Sequence, residues 1–232
     1  MKSGPEQNDL LFLLPQPVKE RLFPVLREIE LPPNKEIYAA GQKVNFVYFP
    51  ADCIISLIYV TLDGHSSEIS VVGREGVVGI EVFMGADSTP RRGLVTSPGK
   101  AHQLPAADLK REFENDATLR KLMLRYTQTL ITQMAQTAVC NRHHTVDQQL
   151  CRWLLLSLDR LPTNELTMTQ ELIANMLGVR REGVTEAACK LQKLGVIHYR
   201  RGHITVIDRP RLEALCCECY SVVKKASERL VA

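Results

Sequence analysis

From Asp116 to Asn141 the chain runs 26 residues without a proline or a glycine, and this stretch divides it into two textures. Proline would break a helix there and glycine would weaken it, so their joint absence predicts one helix of about seven turns. Leu119, Met123, Tyr126, Leu130, Met134 and Thr137 step by three or four along it. They form an a/d-like seam, long enough for a dimer contact and short for a fibrous coiled coil. Thr127, Gln128, Thr129, Gln133 and Gln136 make the remaining surface neutral, which suits further packing on protein. One more core helix is the alternative to a dimer helix.

Upstream, residues 18–30 read as a short amphipathic helix ended by Leu31-Pro32-Pro33. Residues 44–50, 53–62 and 66–72 are rich in β-branched and aromatic side chains and read as strands. The last two flank Asp63-Gly64, a two-residue hairpin signal, and residues 93–105 give another strand pair around Pro98-Gly99. Short strands at near-regular spacing predict a small antiparallel roll or sandwich.

Downstream, helices are expected over 145–160, from about Met168 to Gly178, over 181–194 and over 210–230. Residues 196–208 alternate apolar and polar around Arg201-Gly202 and read as a hairpin. Helix, glycine turn, helix and hairpin make the order of a winged helix-turn-helix. Val184, Ala187, Ala188, Leu191 and Leu194 would pack on Leu172, Ile173 and Leu177, leaving Glu182, Thr185, Glu186 and Cys189 outward with Arg181 at the flank. The second helix opens on Arg180 and Arg181, where the positive end of the helix dipole disfavours cations. Opposite a phosphate backbone that objection reverses, since helix end and arginines would meet one polyanion. Arginine can also grip guanine, glutamate can accept from cytosine, and threonine can reach a base or a thymine methyl. The candidate DNA contacts are therefore Thr169, Gln170, Arg180, Arg181, Glu182, Thr185 and Glu186, with Arg200 and Arg201 at the tip of the wing. Merely solvated arginines on an ordinary helix pair are the alternative.

Charge agrees with that division. Residues 1–140 carry 15 Lys and Arg against 16 Asp and Glu, whereas residues 141–232 carry 14 against 10. The expected class is α+β: a sensor or effector roll with an N-terminal helix over 1–115, a dimerisation and linker helix over 116–144, and a DNA-binding domain with a closing helix over 145–232. No run approaches the roughly 20 apolar residues that cross a bilayer. The early Leu10–Pro15 run is short and follows Glu6 and Asp9 rather than basic residues, so neither a signal peptide nor a membrane partner is expected. Seven scattered cysteines suit free thiols in a reducing cytoplasm, the expected location. No Gly-rich phosphate loop, nucleophile elbow or H-E-x-x-H pattern occurs, so no catalytic site and no cofactor are expected.

The run Asn141–Arg160, continued from Leu166 through "TMTQELIANMLGVRREGVTEAACKLQKLGVIHYRRGHITVIDR", resembles the C-terminal half of the Crp/Fnr family of bacterial transcription regulators. The resemblance extends through "VYFP" and "GVVGIEVFMG" to most of residues 20–220. It implies a cyclic-nucleotide-binding-like roll, a long dimerisation helix and a winged helix-turn-helix. It also implies a homodimer on palindromic double-stranded DNA, with RNA polymerase as protein partner. The family's base-reading Arg and Glu fall on Arg181 and Glu182, while a third contact, Arg in the cyclic-AMP-responsive members, is Glu186 here.

The effector segment departs further. Gly76, Val77, Gly79, Arg91 and Arg92 stand where cyclic-nucleotide binders of the family hold ribose and phosphate. Val77 replaces the ribose carboxylate and offers no acceptor, although Arg91 keeps a charge for an anion. A conventionally bound cyclic nucleotide is therefore not expected, and another small effector, or none, is. Iron–sulfur members carry an N-terminal cysteine cluster, whereas here no cysteine precedes Cys53. Cys216, Cys217 and Cys219 fall short of four zinc ligands, so packing is expected of them even with Cys216 and Cys219 at i, i+3 on one helical face. His143 and Asp147, at i, i+4, read as hinge residues, and no metal is expected. The competing class is a ligand-binding or protein-contacting module with a vestigial helix-turn-helix.

Overall fold

A computed structural model describes residues 3–231. The chain opens with α1 (Asp9–Phe12), capped by the Asn8 carboxamide, and α2 (Gln16–Leu22). A short 3-10 turn over Phe23–Val25 follows, and β1 (Arg27–Leu31) begins where an amphipathic helix was expected to continue. Pro24 sits inside that turn, removing a helical donor just where the chain must straighten. Then come β2 (Glu36–Tyr38), β3 (Phe46–Pro50), β4 (Ile54–Val60), β5 (Ser66–Val72), α3 (Glu81–Met84), β6 (Arg92–Ser97) and β7 (Gly99–Pro105).

These strands form two antiparallel sheets, β1-β7-β3 and β2-β6-β4-β5. The β4–β5 hairpin stands where Asp63-Gly64 marks it. Thr61 and His65 are joined by a backbone bond, so Leu62, Asp63 and Gly64 make a three-residue loop instead of a two-residue one. The expected pairing of residues 93–97 with 99–105 does not form. At Pro98 the chain passes from one sheet to the other; proline's fixed negative φ does not suit the first position of the I′ or II′ turn a tight hairpin favours, and β6 and β7 each find partners in separate sheets. Phe49, Ile55, Leu57, Val77, Val95 and Leu104 fill the roll between the sheets.

After α4 (Ala106–Asn115), α5 (Ala117–His143) runs its full predicted length, with the Asp116 carboxylate accepting from Thr118 and Leu119 N–H. It presents three faces. Leu119, Met123, Tyr126 and Leu130 are buried in the roll's own core, Thr137 is buried and Met134 is partly buried against that core. The predicted dimer seam is thus the face that closes the roll, because the most apolar stripe joins the largest apolar core. A second face receives the C-terminal helix: Arg125 donates to the Arg229 carbonyl and Thr129 to the Ala226 carbonyl. The third face, Lys121, Leu124, Gln128, Ile131, Ala135, Ala138 and Arg142, is open. Leu124 and Ile131 there are 47% and 49% exposed, high for side chains of their size in a helix so well packed elsewhere.

Beyond α5 lie α6 (Val146–Leu158), β8 (Glu165–Thr167), α7 (Gln170–Leu177), α8 (Arg181–Lys193), β9 (Ile197–Arg200), β10 (His203–Val206), α9 (Arg209–Leu215) and α10 (Glu218–Val231). The expected single closing helix is two, broken at Cys216, which takes an extended backbone. A second core unites Leu150, Trp153, Leu154, Ile173, Leu177, Val184, Leu191 and Ile204. The helix α10 serves both cores, placing Tyr220 and Val223 in the second and Leu230 in the first.

The two cores meet across the outer face of β4 and β5. Ser56, Ile54 and Ile58 point away from the roll interior yet are buried. The Gln133 carboxamide of α5 faces the Val71 peptide of β5, and oriented to satisfy both groups it accepts from the N–H at 3.0 Å and donates to the carbonyl at 3.2 Å. At this junction the Ser56 hydroxyl donates to Glu68, and Ser56 and Thr96 hydroxyls lie 2.9 Å apart. Burial pushes the Glu68 carboxyl up to about 7, against the pull of the Ser56 hydroxyl, the charges of Arg152 and Arg160, and Trp153.

Candidate nucleic-acid interface

The helix-turn-helix is built from local rules that agree with one another. Thr145 and Gln148 form a capping box at the start of α6. Thr169 caps α7 by accepting from the Leu172 N–H at 3.2 Å. Gly178 ends α7 at φ +66, the left-handed stop that a residue with a side chain rarely adopts. Arg180, in extended backbone, then starts α8 without a side-chain cap. The N-terminal amides of α8 therefore lack the serine, threonine or aspartate that usually occupies them.

On α8, Val184, Ala187, Ala188 and Leu191 are buried, whereas Leu194 lies past the helix end and is 41% exposed. Outward stand Arg181, Glu182, Glu186, Cys189 and Lys190. Two predicted contacts meet each other: the Thr185 hydroxyl donates to the Gln170 carboxamide oxygen at 2.8 Å, and also lies 3.0 Å from the Arg181 carbonyl. This bond joins α7 to α8 and engages the Gln170 oxygen, while its amide nitrogen has no protein partner among the described residues. Glu186 is drawn along the helix to Lys190 at 3.1 Å, and Lys190 also reaches Asp147 at 3.3 Å. Glu182 has no such partner among the described residues.

The wing is tied to the same surface. Arg201 and Gly202 have φ of +50 and +83, a two-residue turn of the type that matches strand twist. Met168 N–H donates to the Gly202 carbonyl at 2.6 Å, and β8 joins β10 to extend the hairpin to three strands. The wing tip is thereby held beside the entrance to α7. The Tyr199 hydroxyl donates to the Met168 carbonyl at 3.0 Å, and burial raises its pKa while the nearby Arg181 charge pulls it back.

Some arginines, such as Arg21, Arg91, Arg92, Arg160 and Arg209, hold carboxylates, and others, such as Arg27 and Arg142, are exposed without one, so position rather than lack of pairing marks the helix-turn-helix surface. Among the described residues, Arg180, Arg181, Arg200 and Arg201 hold none, and all four are exposed. A cluster of uncompensated guanidinium groups around an uncapped helix N-terminus is an anion-binding surface.

The roll segment is arranged differently from an open nucleotide pocket. Val77 is fully buried, and the Tyr126 hydroxyl donates to its carbonyl at 3.0 Å. Tyr126 lies so close to Gly76 that a Cβ there would come within 2.4 Å of its oxygen. A Cβ on Gly79, at φ +105, would stand 2.9 Å from Val47. Arg91 makes a buried ion pair with Glu81, and Arg92 donates to Glu36 at 2.7 Å. The charge expected to await an anion at Arg91 is thus neutralised by a carboxylate of the same segment. Beside it, burial pushes the Tyr38 phenol up to about 12.

His143 and Asp147 do not come together, since Asp147 turns to Lys190. The cysteines do converge, but not as the sequence suggested. Cys217 and Cys219 meet Cys140 of α5 and His144 at its C-terminal cap, with all four ligand atoms within 4.8 Å of one another. Cys140-x3-His144, one turn apart at a helix end, is the signal that reading the C-terminal cysteines alone overlooks.

Comparison with known proteins supports this architecture. Residues 148–215 match the Crp-like helix-turn-helix domain. FixK2 from Bradyrhizobium japonicum is similar in structure, with a TM-score of 0.72 at 18% identity, covering 83% of this chain and 98% of its own. A CRP-family transcriptional regulator from Thermus thermophilus gives 0.68 at 16%, covering 81% and 95%. CLP, a c-di-GMP-responsive global regulator of Xanthomonas campestris, gives 0.63 at 16%, covering 83% and 99%. No curated protein matches by sequence. Among the described residues no helix is long and apolar enough to cross a membrane. Residues 148–215 thus make a Crp-like helix-turn-helix domain, and the roll, long central helix and helix-turn-helix follow one another in the fold these regulators share.

Proposed function

We propose that the protein binds a two-fold symmetric DNA site as a homodimer, with α8 in the major groove and the β9–β10 wing on the backbone. The observation that carries this reading is the set of four unpaired arginines around the α8 N-terminus and the wing tip. Arg181 and Glu182 serve as base readers, Arg180, Arg200 and Arg201 as backbone contacts, and Thr169, Gln170 and Thr185 as groups that orient and extend them. Glu186, paired with Lys190, sets this reader apart from the cyclic-AMP-responsive members.

The open stripe on α5 supports the dimer. Leu124, Gln128, Ile131, Ala135 and Ala138 alternate in steps of four and three, the spacing of a two-helix seam. A two-fold dimer would set the recognition helices about 34–36 Å apart, one turn of duplex. The roll then acts as a regulatory module whose state biases the angle of the DNA heads through α5. Its effector is not a conventionally held cyclic nucleotide, because Val77 and the Arg91–Glu81 pair occupy the places that would hold one. RNA polymerase is the protein partner that the resemblance implies. Selection of bound DNA from a random duplex pool tests the reading: an enriched palindrome supports it, and purified dimer that enriches nothing at low salt overturns it.

A further inference from the structure

We propose that Cys140, His144, Cys217 and Cys219 form a tetrahedral site for one zinc ion, which staples the end of α5 to the α9–α10 link. The geometry suits a metal before any metal is added. With zinc–sulfur bonds of about 2.3 Å and zinc–nitrogen bonds of about 2.0–2.1 Å, tetrahedral ligand atoms stand roughly 3.5–3.8 Å apart. Here the sulfurs of Cys140 and Cys217 are 3.7 Å apart, and the Cys219 sulfur is 3.6 Å from His144 Nδ1. The remaining separations are within 4.8 Å. A disulfide would need sulfurs near 2.05 Å. An iron–sulfur cluster would need them spread around a multi-atom core, wider than this cluster allows.

Three features favour a metal over packed thiols. First, the ring nitrogen of His144 is turned into the sulfur cluster, where packing alone gives an imidazole acceptor only weak partners. Second, His144 Nε2 lies 3.4 Å from the Glu218 carboxylate. That contact selects the tautomer with Nδ1 free, the outer-shell arrangement that orients metal-bound histidines. Third, Cys140 and Cys219 are fully buried and Cys217 nearly so, and the buried Arg152 guanidinium acts on the same cluster. Three thiolates and one dication leave a single negative charge, which that cation can balance. A closed set of three sulfurs and one nitrogen suits zinc among the divalent ions and leaves no open position for catalysis.

The four ligands join parts of the chain 73 to 79 residues apart, counted between Cys140 or His144 and Cys217 or Cys219. One pair ends the central helix, and the other lies where the closing helix breaks. Loading the site would therefore fix the hinge on which the DNA-binding half turns. This consequence for DNA rests on the proposed function, whereas the metal site does not.

Cobalt(II) titration of the reduced, metal-stripped full-length protein tests the site. The expected result is saturation at one cobalt per chain, with thiolate-to-cobalt charge transfer and the intense visible bands of a tetrahedral centre, all removed by zinc. Cys140→Ser and Cys217→Ser should each bind cobalt more weakly and reduce the charge-transfer band by about a third or more, Glu218→Gln should weaken zinc affinity about 10-fold or more, and Cys189→Ser should leave uptake unchanged. A six-coordinate spectrum, or no saturable uptake by the unaltered protein, overturns the proposal whether or not the variants fold. Undiminished affinity and charge transfer in folded Cys140→Ser and Cys217→Ser do the same. Operator affinity, measured separately with and without zinc, then reads the hinge: failure of DNA binding in both states would sink the proposed function and leave the metal result standing.

Discussion

Arg160 Nε donates to Glu75 Oε1 across 2.7 Å, joining the end of α6 to the turn that follows β5. The arginine is buried, its Nη1 donates to the Leu156 carbonyl, and its stem lies against Gly73. Removing one member of such a pair strands the other charge away from water, which typically costs about 3–5 kcal/mol. Glu75→Ala should therefore lower stability by about that amount, and Glu75→Ala with Arg160→Met by less than the single change. Denaturant melts of the double-mutant cycle measure this, and simple additivity would remove the pair from the account of the junction. Gly73→Ala should also destabilise, because its Cβ would stand 2.6–2.7 Å from Arg160 carbons.

The junction should also respond to pH through Glu68. Its carboxyl is raised in the folded protein from an ordinary 4.5 to about 7, so between those values the folded state holds more protons than the unfolded one. Stability from this group is then greatest below pH 4.5, falls as pH rises through about 7, and is level above it, a loss of about 3 kcal/mol at most. Glu68→Gln should flatten that part of the stability profile. An unchanged slope between pH 5 and 7.5 in the variant would assign the dependence to other groups.

Arg181 and Arg201 should fail in different ways. Arg181→Ala is expected to cost about 1–3 kcal/mol on the preferred operator and to relax discrimination at one base pair. Arg201→Ala should weaken binding to all sequences alike and reduce the salt slope by about one ion. Salt titrations against matched and scrambled duplexes separate these outcomes, and equal losses everywhere for both would end the division of roles.

The two stripes of α5 make a paired prediction. Ile131→Glu on the open face should give a folded monomer, because a charge would enter the seam between two helices. Leu130→Ala, one position away on the roll face, should keep the dimer and lose about 2–5 kcal/mol of stability. Sedimentation with thermal melts reads both, and an Ile131→Glu dimer would move the interface elsewhere.

Legibility followed the range of the forces concerned. The length of α5, the caps of α6 and α7, the Gly178 stop and the Arg201-Gly202 turn depend on neighbours a few residues apart, and local sequence determined them. So did the amphipathic pattern of α8, which buries Val184, Ala187, Ala188 and Leu191. What the periodicity of α5 did not contain was the partner of each stripe. Leu119, Met123, Tyr126 and Leu130 make a good seam for any apolar surface, and the roll, already tethered to the same chain, receives them without the entropy of association. Likewise Pro98-Gly99 announces a turn, but only the two sheets decide that the strands beside it part company. Cys140 and His144 became neighbours of Cys217 and Cys219 because α10 lies along α5, with Tyr220 and Val223 in one core and Leu230 in the other. Local chemistry in the sequence determined the elements and the anion-facing helix. Tertiary structure decided which faces remain open, which charges stay unpaired and which distant ligands meet.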